Sequence, residues 1–139
     1  MQRFLFMILV AYVIGAAPAM ASNEADLQRL NRGEDCPGCD LSNANLNGAN
    51  LSNRDLSGAN LTGANLNGAG LFNTNLSGAN LTNAIFTNSN PTGANFTGAN
   101  LTGADFSRVH KLNIEGAVFT DAIICNTKWI DGSTVDSCP

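Results

Sequence analysis

Few residues in this chain could do covalent chemistry. Four cysteines stand in two groups, Cys36 and Cys39 in a Cys-Pro-Gly-Cys run and Cys125 and Cys138 near the end. The single histidine, His110, lies between Arg108 and Lys111. A C-x-x-C run can be a redox pair, half of a zinc site, or a structural disulfide or buried thiol pair. Zinc would require two further ligands, and neither a second C-x-x-C nor a His pair lies near in sequence. A lone histidine with no adjacent acid or nucleophile is not a catalytic set. The Arg108, His110, Lys111 cluster therefore reads as a solvated loop, or as a weak anion or partner contact. Paired carboxylates, a triad and a metal cluster are all missing from the sequence pattern. The expectation is no catalytic residue, no cofactor-binding residue and no metal ligand.

What would position these residues is a repeat. From Cys39 the sequence falls into five-residue units with apolar centres at Leu41, Leu46, Leu51, Leu56, Leu61, Leu66, Leu71, Leu76, Leu81, Phe86, Pro91, Phe96, Leu101 and Phe106. A period of five fits neither a lone helix nor a lone strand, so the chain must turn in every unit. Two places before each centre stands a small residue, usually Ala, with Cys39, Arg54, Thr74 and Ser89 as departures. One place before it stands mostly Asn, and one place after it mostly Ser or Thr. Two places after it stands Gly or Asn, apart from Arg108. Gly and Asn tolerate the positive φ that the third residue of a type II turn demands. If each unit is one side of a square, four units close a circuit, and circuits stack about 4.8 Å apart. Leu and Phe then fill the axis while Ala permits close backbone approach. The βαβ setting of a thioredoxin-like C-x-x-C is incompatible with such a coil.

These units resemble the pentapeptide-repeat family, whose pattern is a run of A-(D/N)-L-x-x. Ala44-Asn45-Leu46-Asn47-Gly48 and Ala59-Asn60-Leu61-Thr62-Gly63 match it directly. The resemblance implies an all-β fold, a right-handed quadrilateral β-helix, and no single biochemical activity. After Phe106 the register slips, and three extra residues are expected to bulge from a corner. Leu112-Asn113-Ile114 restarts the pattern, and Ile114, Phe119 and Ile124 are expected to continue the core.

The ends divide the chain. Arg3, the apolar run Phe4 to Ala17 and the Ala19-Met20-Ala21 site read as a secretory signal peptide over 1–21. Its apolar run is short of the ~20 residues needed to span a bilayer, so no stable membrane insertion is expected after cleavage. Residues 22–38 read as a short helical cap, with Ser22 or Asn23 capping and Leu27 and Leu30 on one face. The coil would run over 39–134. The segment Cys125-Asn126-Thr127, Asp131-Gly132-Ser133, Cys138 resembles the ending of many secreted bacterial pentapeptide-repeat proteins. It implies a closing cap over 125–139 with a Cys125–Cys138 disulfide that locks Trp129 over the far end. Four cysteines allow three pairings. The two pairs would lie on the order of 20 Å apart along the coil, whereas a disulfide needs Cα atoms within about 7 Å. Cys36 should then pair with Cys39. Such bonds persist in an exported, oxidising compartment.

Charge and composition narrow the function. Removing Arg3 with the leader turns the net charge from −4 to −5, and between 41 and 106 the only charged residues are Arg54, Asp55 and Asp105. The expected role is a non-enzymatic exported scaffold or protein-interaction module, in the periplasm or, for a photosynthetic source, the thylakoid lumen. Six N-x-S/T sites, at Asn50, Asn60, Asn75, Asn80, Asn95 and Asn100, favour a bacterial source. Ladders such as Asn60-Leu61-Thr62, Asn80-Leu81-Thr82 and Asn100-Leu101-Thr102 suggest side chains bonded to each other and to the backbone. They leave open an ice- or polysaccharide-binding wall. Outward Phe72 and Ile85 could mark an unknown protein partner's site. Some members of the resembled family mimic B-DNA and inhibit gyrase. Here Asn replaces the acids a mimic needs to match one charge per about 1.7 Å, so no nucleic-acid role is expected.

Overall fold

The computed structural model describes residues 22–139. The leader expected over 1–21 lies outside them. From Asp40 onward each unit repeats one set of hydrogen bonds. In the unit of Leu41, the Ala44 N–H closes a turn on the Leu41 carbonyl at 3.1 Å. Asn43, third in that turn, has φ 55°, a region Gly and Asn enter with little steric penalty. The departure Arg108 is held there too, at φ 63°.

Each circuit is then stitched to the next. Leu41 N–H donates to the Asn60 carbonyl at 2.7 Å, Asn60 N–H to the Cys39 carbonyl at 2.8 Å, and Asn43 N–H to the Thr62 carbonyl at 2.8 Å. Parallel bridges join Asp40, Asn60, Asn80 and Asn100 on one wall and Asn45, Asn65, Ile85 and Asp105 on the next. The third wall carries Asn50, Gly70 and Asn90, and the fourth Asp55, Asn75 and Asn95. Twenty residues thus make one four-sided circuit of a β-helix. Each wall bridges through a single residue per circuit, so regular strands are scarce. Among the described residues the only two are β1 (Ile124–Lys128) and β2 (Thr134–Ser137), an antiparallel pair.

Every unit centre from Leu41 to Phe106 is buried. The lower circuits are filled by Leu and the upper ones by rings. Phe86 stacks on Phe106 with centroids 4.4 Å apart, Phe96 on Phe119 at 4.9 Å, and Trp129 lies 5.3 Å from Phe106. Two small-column departures carry their own bonds. The buried Thr74 hydroxyl donates to the Leu51 carbonyl at 2.9 Å, and Thr127 to that of Leu101 at 2.7 Å. The Ser89 hydroxyl is buried without a partner among the described residues.

Ile114, Phe119 and Ile124, read as core positions, are only half-buried. They belong to the last circuit, and no further circuit covers them. Ile114 and Phe119 still pack on the core, whereas Ile124 opens β1 and pairs across to Ser137.

The slip after Phe106 is an insertion of three residues. Bridges that spanned twenty residues become Asn95 to Val118, Asn100 to Ile123 and Asp105 to Lys128. The extra length is taken up by a 3-10 helix at Lys111–Ile114, with the His110 ring accepting the Leu112 N–H at 3.3 Å. This helix faces Pro91 across the circuits, where Thr92 Oγ1 donates to the Asn113 carbonyl at 3.1 Å. The proline therefore lacks its N–H at the wall where, among the described residues, Asn90 bridges only downward to Gly70.

At the start, helix α1 (Glu24–Asn31) is capped by the Asn23 side chain, with Glu24 and Asp26 in its first turn. It is tied to the first circuit by two bonds. Asn23 N–H donates to the Asp40 carbonyl at 2.9 Å, and Asp40 N–H donates to the Asp26 carboxylate at 2.9 Å. Leu30 is buried against the coil and Leu27 packs beside it. No helix among the described residues is long and apolar enough to cross a membrane.

Candidate functional site

The cysteines are disulfide-bonded in two pairs, Cys36 to Cys39 and Cys125 to Cys138, with Cα separations of 5.4 and 4.6 Å. Cys36 occupies a place its sequence does not advertise. Its N–H donates to the Asp55 carbonyl at 2.8 Å, Gly38 N–H to the Ser57 carbonyl at 2.8 Å, and Cys39 N–H to the Cys36 carbonyl at 3.2 Å. These are the bonds of a repeat centre, a Gly at positive φ and the following small residue. The coil therefore begins with Glu34-Asp35-Cys36-Pro37-Gly38, and the first disulfide joins two inward positions across one corner. The signal was there in Gly38 and in the distance of twenty from Leu56, but Cys at a Leu position hid it.

Among the described residues one gathering of three possible metal ligands occurs, Asp26 with Cys36 and Cys39, their ligand atoms within 4.8 Å of one another. The two sulfurs are joined, so neither is the thiolate a metal would need. A cavity of about 270 Å³ lies between α1 and the first circuit, lined by Leu30, Asn31, Gly33, Leu46, Ala49, Asn50 and Leu51. It holds no ionisable side chain. Arg108, His110 and Lys111 all stand exposed around the 3-10 helix, and among the described residues no acid or nucleophile is bonded to His110.

The remaining surface is wall, and most of its outward carboxamide and carboxylate groups already accept a hydrogen bond. In almost every unit the outward Asn or Asp accepts the N–H two residues on. Asn80 takes Thr82 N–H at 3.2 Å and Asn95 takes Thr97 N–H at 3.0 Å. The Thr hydroxyls at 62, 82 and 102 donate to the same side-chain oxygens at 2.6–2.7 Å. This is a local turn made by Asn: of the two kinds of bond expected, to the backbone and to each other, the first predominates. Bonds between circuits are confined to a few pairs, such as Asn60 to Asp40 at 3.3 Å and Asn75 to Asp55 at 3.1 Å. The Ser57 and Asn75 donors on Asp55 hold its carboxyl below the usual carboxylate range. Asp131 is lowered in the same way by Ser133.

Both outward apolar residues singled out in the sequence are exposed, Phe72 at 45% and Ile85 at 39%, on different walls. Leu112, Val118 and Ile123 are exposed as well.

Residues 38–78 and 74–110 match the model for pentapeptide repeats, in eight copies. Among solved structures the chain is similar to alr5209, a pentapeptide repeat protein from Nostoc PCC 7120. The two are 33% identical, with 69% of this chain and 74% of that one covered and a TM-score of 0.54. It is also similar to HetL of Nostoc sp. strain PCC 7120, a pentapeptide repeat protein involved in heterocyst differentiation regulation. There the identity is 36%, covering 63% of this chain but only 39% of HetL, at a TM-score of 0.37. No curated protein matches the chain.

Proposed function

The chain belongs to the pentapeptide-repeat family, and from that premise we propose that it is a non-enzymatic scaffold or protein-interaction module of the bacterial envelope. Its coil takes the right-handed sense of the family, α1 and the Cys125–Cys138 segment act as its two caps, and the leader over 1–21 directs its export to the periplasm or thylakoid lumen. The observation that carries the reading is how the polar groups are used. Wall carboxamide oxygens accept the backbone N–H two residues on and the Thr hydroxyls donate to those same oxygens, while Leu and Phe side chains fill the axis. Such a body offers a flat surface of fixed spacing, and an interface on it forms with little side-chain ordering cost.

The test uses a photo-crosslinking residue placed in turn at Thr82, Thr87, Thr92 and Thr97, one per wall, in the native host. The expected result is discrete protein adducts from one wall in the envelope fraction. Adducts from none of the four, or a chain that stays in the cytoplasm with residues 1–21 uncleaved, would overturn it.

A second reading is an ice- or polysaccharide-binding wall, favoured by the hydroxyls of Thr62, Thr82 and Thr102 recurring once per circuit. Thermal hysteresis in the purified protein would support it, and its absence would remove the ice variant. A DNA-mimic inhibitor of a topoisomerase is the weakest reading, because the walls carry Asn where a mimic carries acids. Inhibition of DNA supercoiling would revive it.

A further inference from the structure

One place on the third wall breaks the pattern in three ways at once. Units from Asp40 to Ser107 tie the N–H two residues past the outward Asn or Asp to that side chain, except at Gly70 and Ile85. At Gly70 there is no carboxamide, and the Phe72 N–H has no acceptor among the described residues. Phe72 itself is 45% exposed where other units carry Ser, Thr or Asn.

The fold does not require this glycine. Those at the corners, such as Gly63 and Gly103, have φ near 66–69°. Gly70 has no such φ, and a Cβ there would meet only Ser52 Oγ at 3.4 Å and Asn50 Oδ1 at 3.6 Å. Its effect is a notch. An unpaired N–H stands where an Asn oxygen would otherwise sit, with an aromatic side chain beside it. Asn50 and Ser52 flank it from the circuit below and Asn90 and Thr92 from the circuit above. No charged residue stands in the outward columns of this wall from Asn50 to Thr92.

We propose that this notch binds a neutral pyranose unit of a polysaccharide. A ring or hydroxyl oxygen takes the Phe72 N–H in place of the missing Asn oxygen, and the C–H face of the sugar rests on the Phe72 ring. The surrounding carboxamides and hydroxyls supply both donors and acceptors for the other sugar hydroxyls. A charged ligand finds no counter-charge here. An extended peptide would need a row of free backbone groups, and this wall offers a single one, the Phe72 N–H, among the described residues. The site is separate from the Thr62–Thr82–Thr102 wall, and its failure leaves the scaffold reading intact.

The test is amide NMR of the purified protein titrated with cellohexaose, chitohexaose and maltohexaose at millimolar concentration. Gly70→Asn and Phe72→Thr are measured alongside; both restore the repeat pattern and should melt at or above the wild-type temperature. At least one hexasaccharide is expected to shift the Phe72, Asn50 and Asn90 amides, and each substitution to weaken it about tenfold or more. No shift from any of the three overturns the proposal, as does binding that survives both substitutions. So does a Gly70→Asn protein that melts lower, since the glycine would then be structural.

Discussion

Replacing Leu61 separates an inward position from its outward neighbours. Its side chain is fully buried, with Leu41 and Leu81 at the equivalent places one circuit below and above. Truncation in Leu61→Ala removes three carbons from a site whose backbone is pinned by the Asn60 and Asn80 carbonyl bonds, so the cavity cannot collapse. The expected loss is about 2–5 kcal/mol. Leu61→Asp adds a charge with no partner in the axis, a penalty of several kcal/mol more. Together these reach the whole stability of an ordinary domain, about 5–15 kcal/mol, and the variant should not fold. Asn80→Asp keeps the oxygen that accepts Thr82 N–H and hydroxyl, so its cost should be within about 0.5 kcal/mol. Asn60→Asp is graded between them. It loses the Asn60–Asp40 bond and sets two carboxylates one circuit apart, a repulsion of about 1 kcal/mol in water. Urea denaturation followed by far-UV circular dichroism and by the fluorescence of Trp129 measures all four. Equal tolerance of Leu61→Asp and Asn80→Asp, or a Leu61→Ala cost under about 1 kcal/mol, would refute the inward assignment.

Three further expectations follow from particular contacts. Gly103→Ala should destabilise by more than about 1 kcal/mol in thermal melts, because φ is 69° there and a Cβ would overlap the Asn83 carboxamide; Gly70→Ala should leave stability unchanged or raise it by about 0.4–1 kcal/mol. Converting Cys125 and Cys138 together to Ser should cost about 2–4 kcal/mol and speed hydrogen exchange in β1 and β2, while the first circuits stay protected. Asp55 is held below its unfolded value, so its contribution is present above the ordinary carboxylate range and is lost as pH falls through the folded value. Asp55→Asn should accordingly flatten the acid side of the stability profile, measured by thermal melts across that range.

The architecture was legible because one physical demand recurs in register from Leu41 to Phe106. Every unit needs an axial apolar residue, a small neighbour and a residue content at positive φ, and the chain writes all three as Leu, Ala and Gly or Asn. What it hid were places where another residue meets the same demand. Cys36 fills an axial place because its disulfide to Cys39 occupies the volume of a side chain and fixes the corner. The wall Asn pattern was visible, but stacking at an interval of twenty and bonding at an interval of two give the same column. Only the geometry separates them, in favour of the N–H two residues on. β2 carried a single apolar residue, Val135, and its pairing with β1 depends on the chain reversal at Asp131-Gly132-Ser133, too short a signal to reveal a strand. The notch at Gly70 was missed because a missing side chain matters only once its would-be partner, the Phe72 N–H, is known to lack another.

Pro91 opposite the 3-10 helix has a mechanical consequence. Elsewhere adjoining circuits are joined by a bridge on each side, but here one side of the topmost lacing keeps only the Gly93 N–H to Glu115 carbonyl and Thr92 hydroxyl to Asn113 carbonyl bonds. Under load or heat the last turn should part from the rod along that side first, swinging on the opposite edge like a lid with its latch off. Phe119 and Trp129 would then be the first aromatic groups to meet water, and unravelling would run downward from that lip toward the disulfide at the other end.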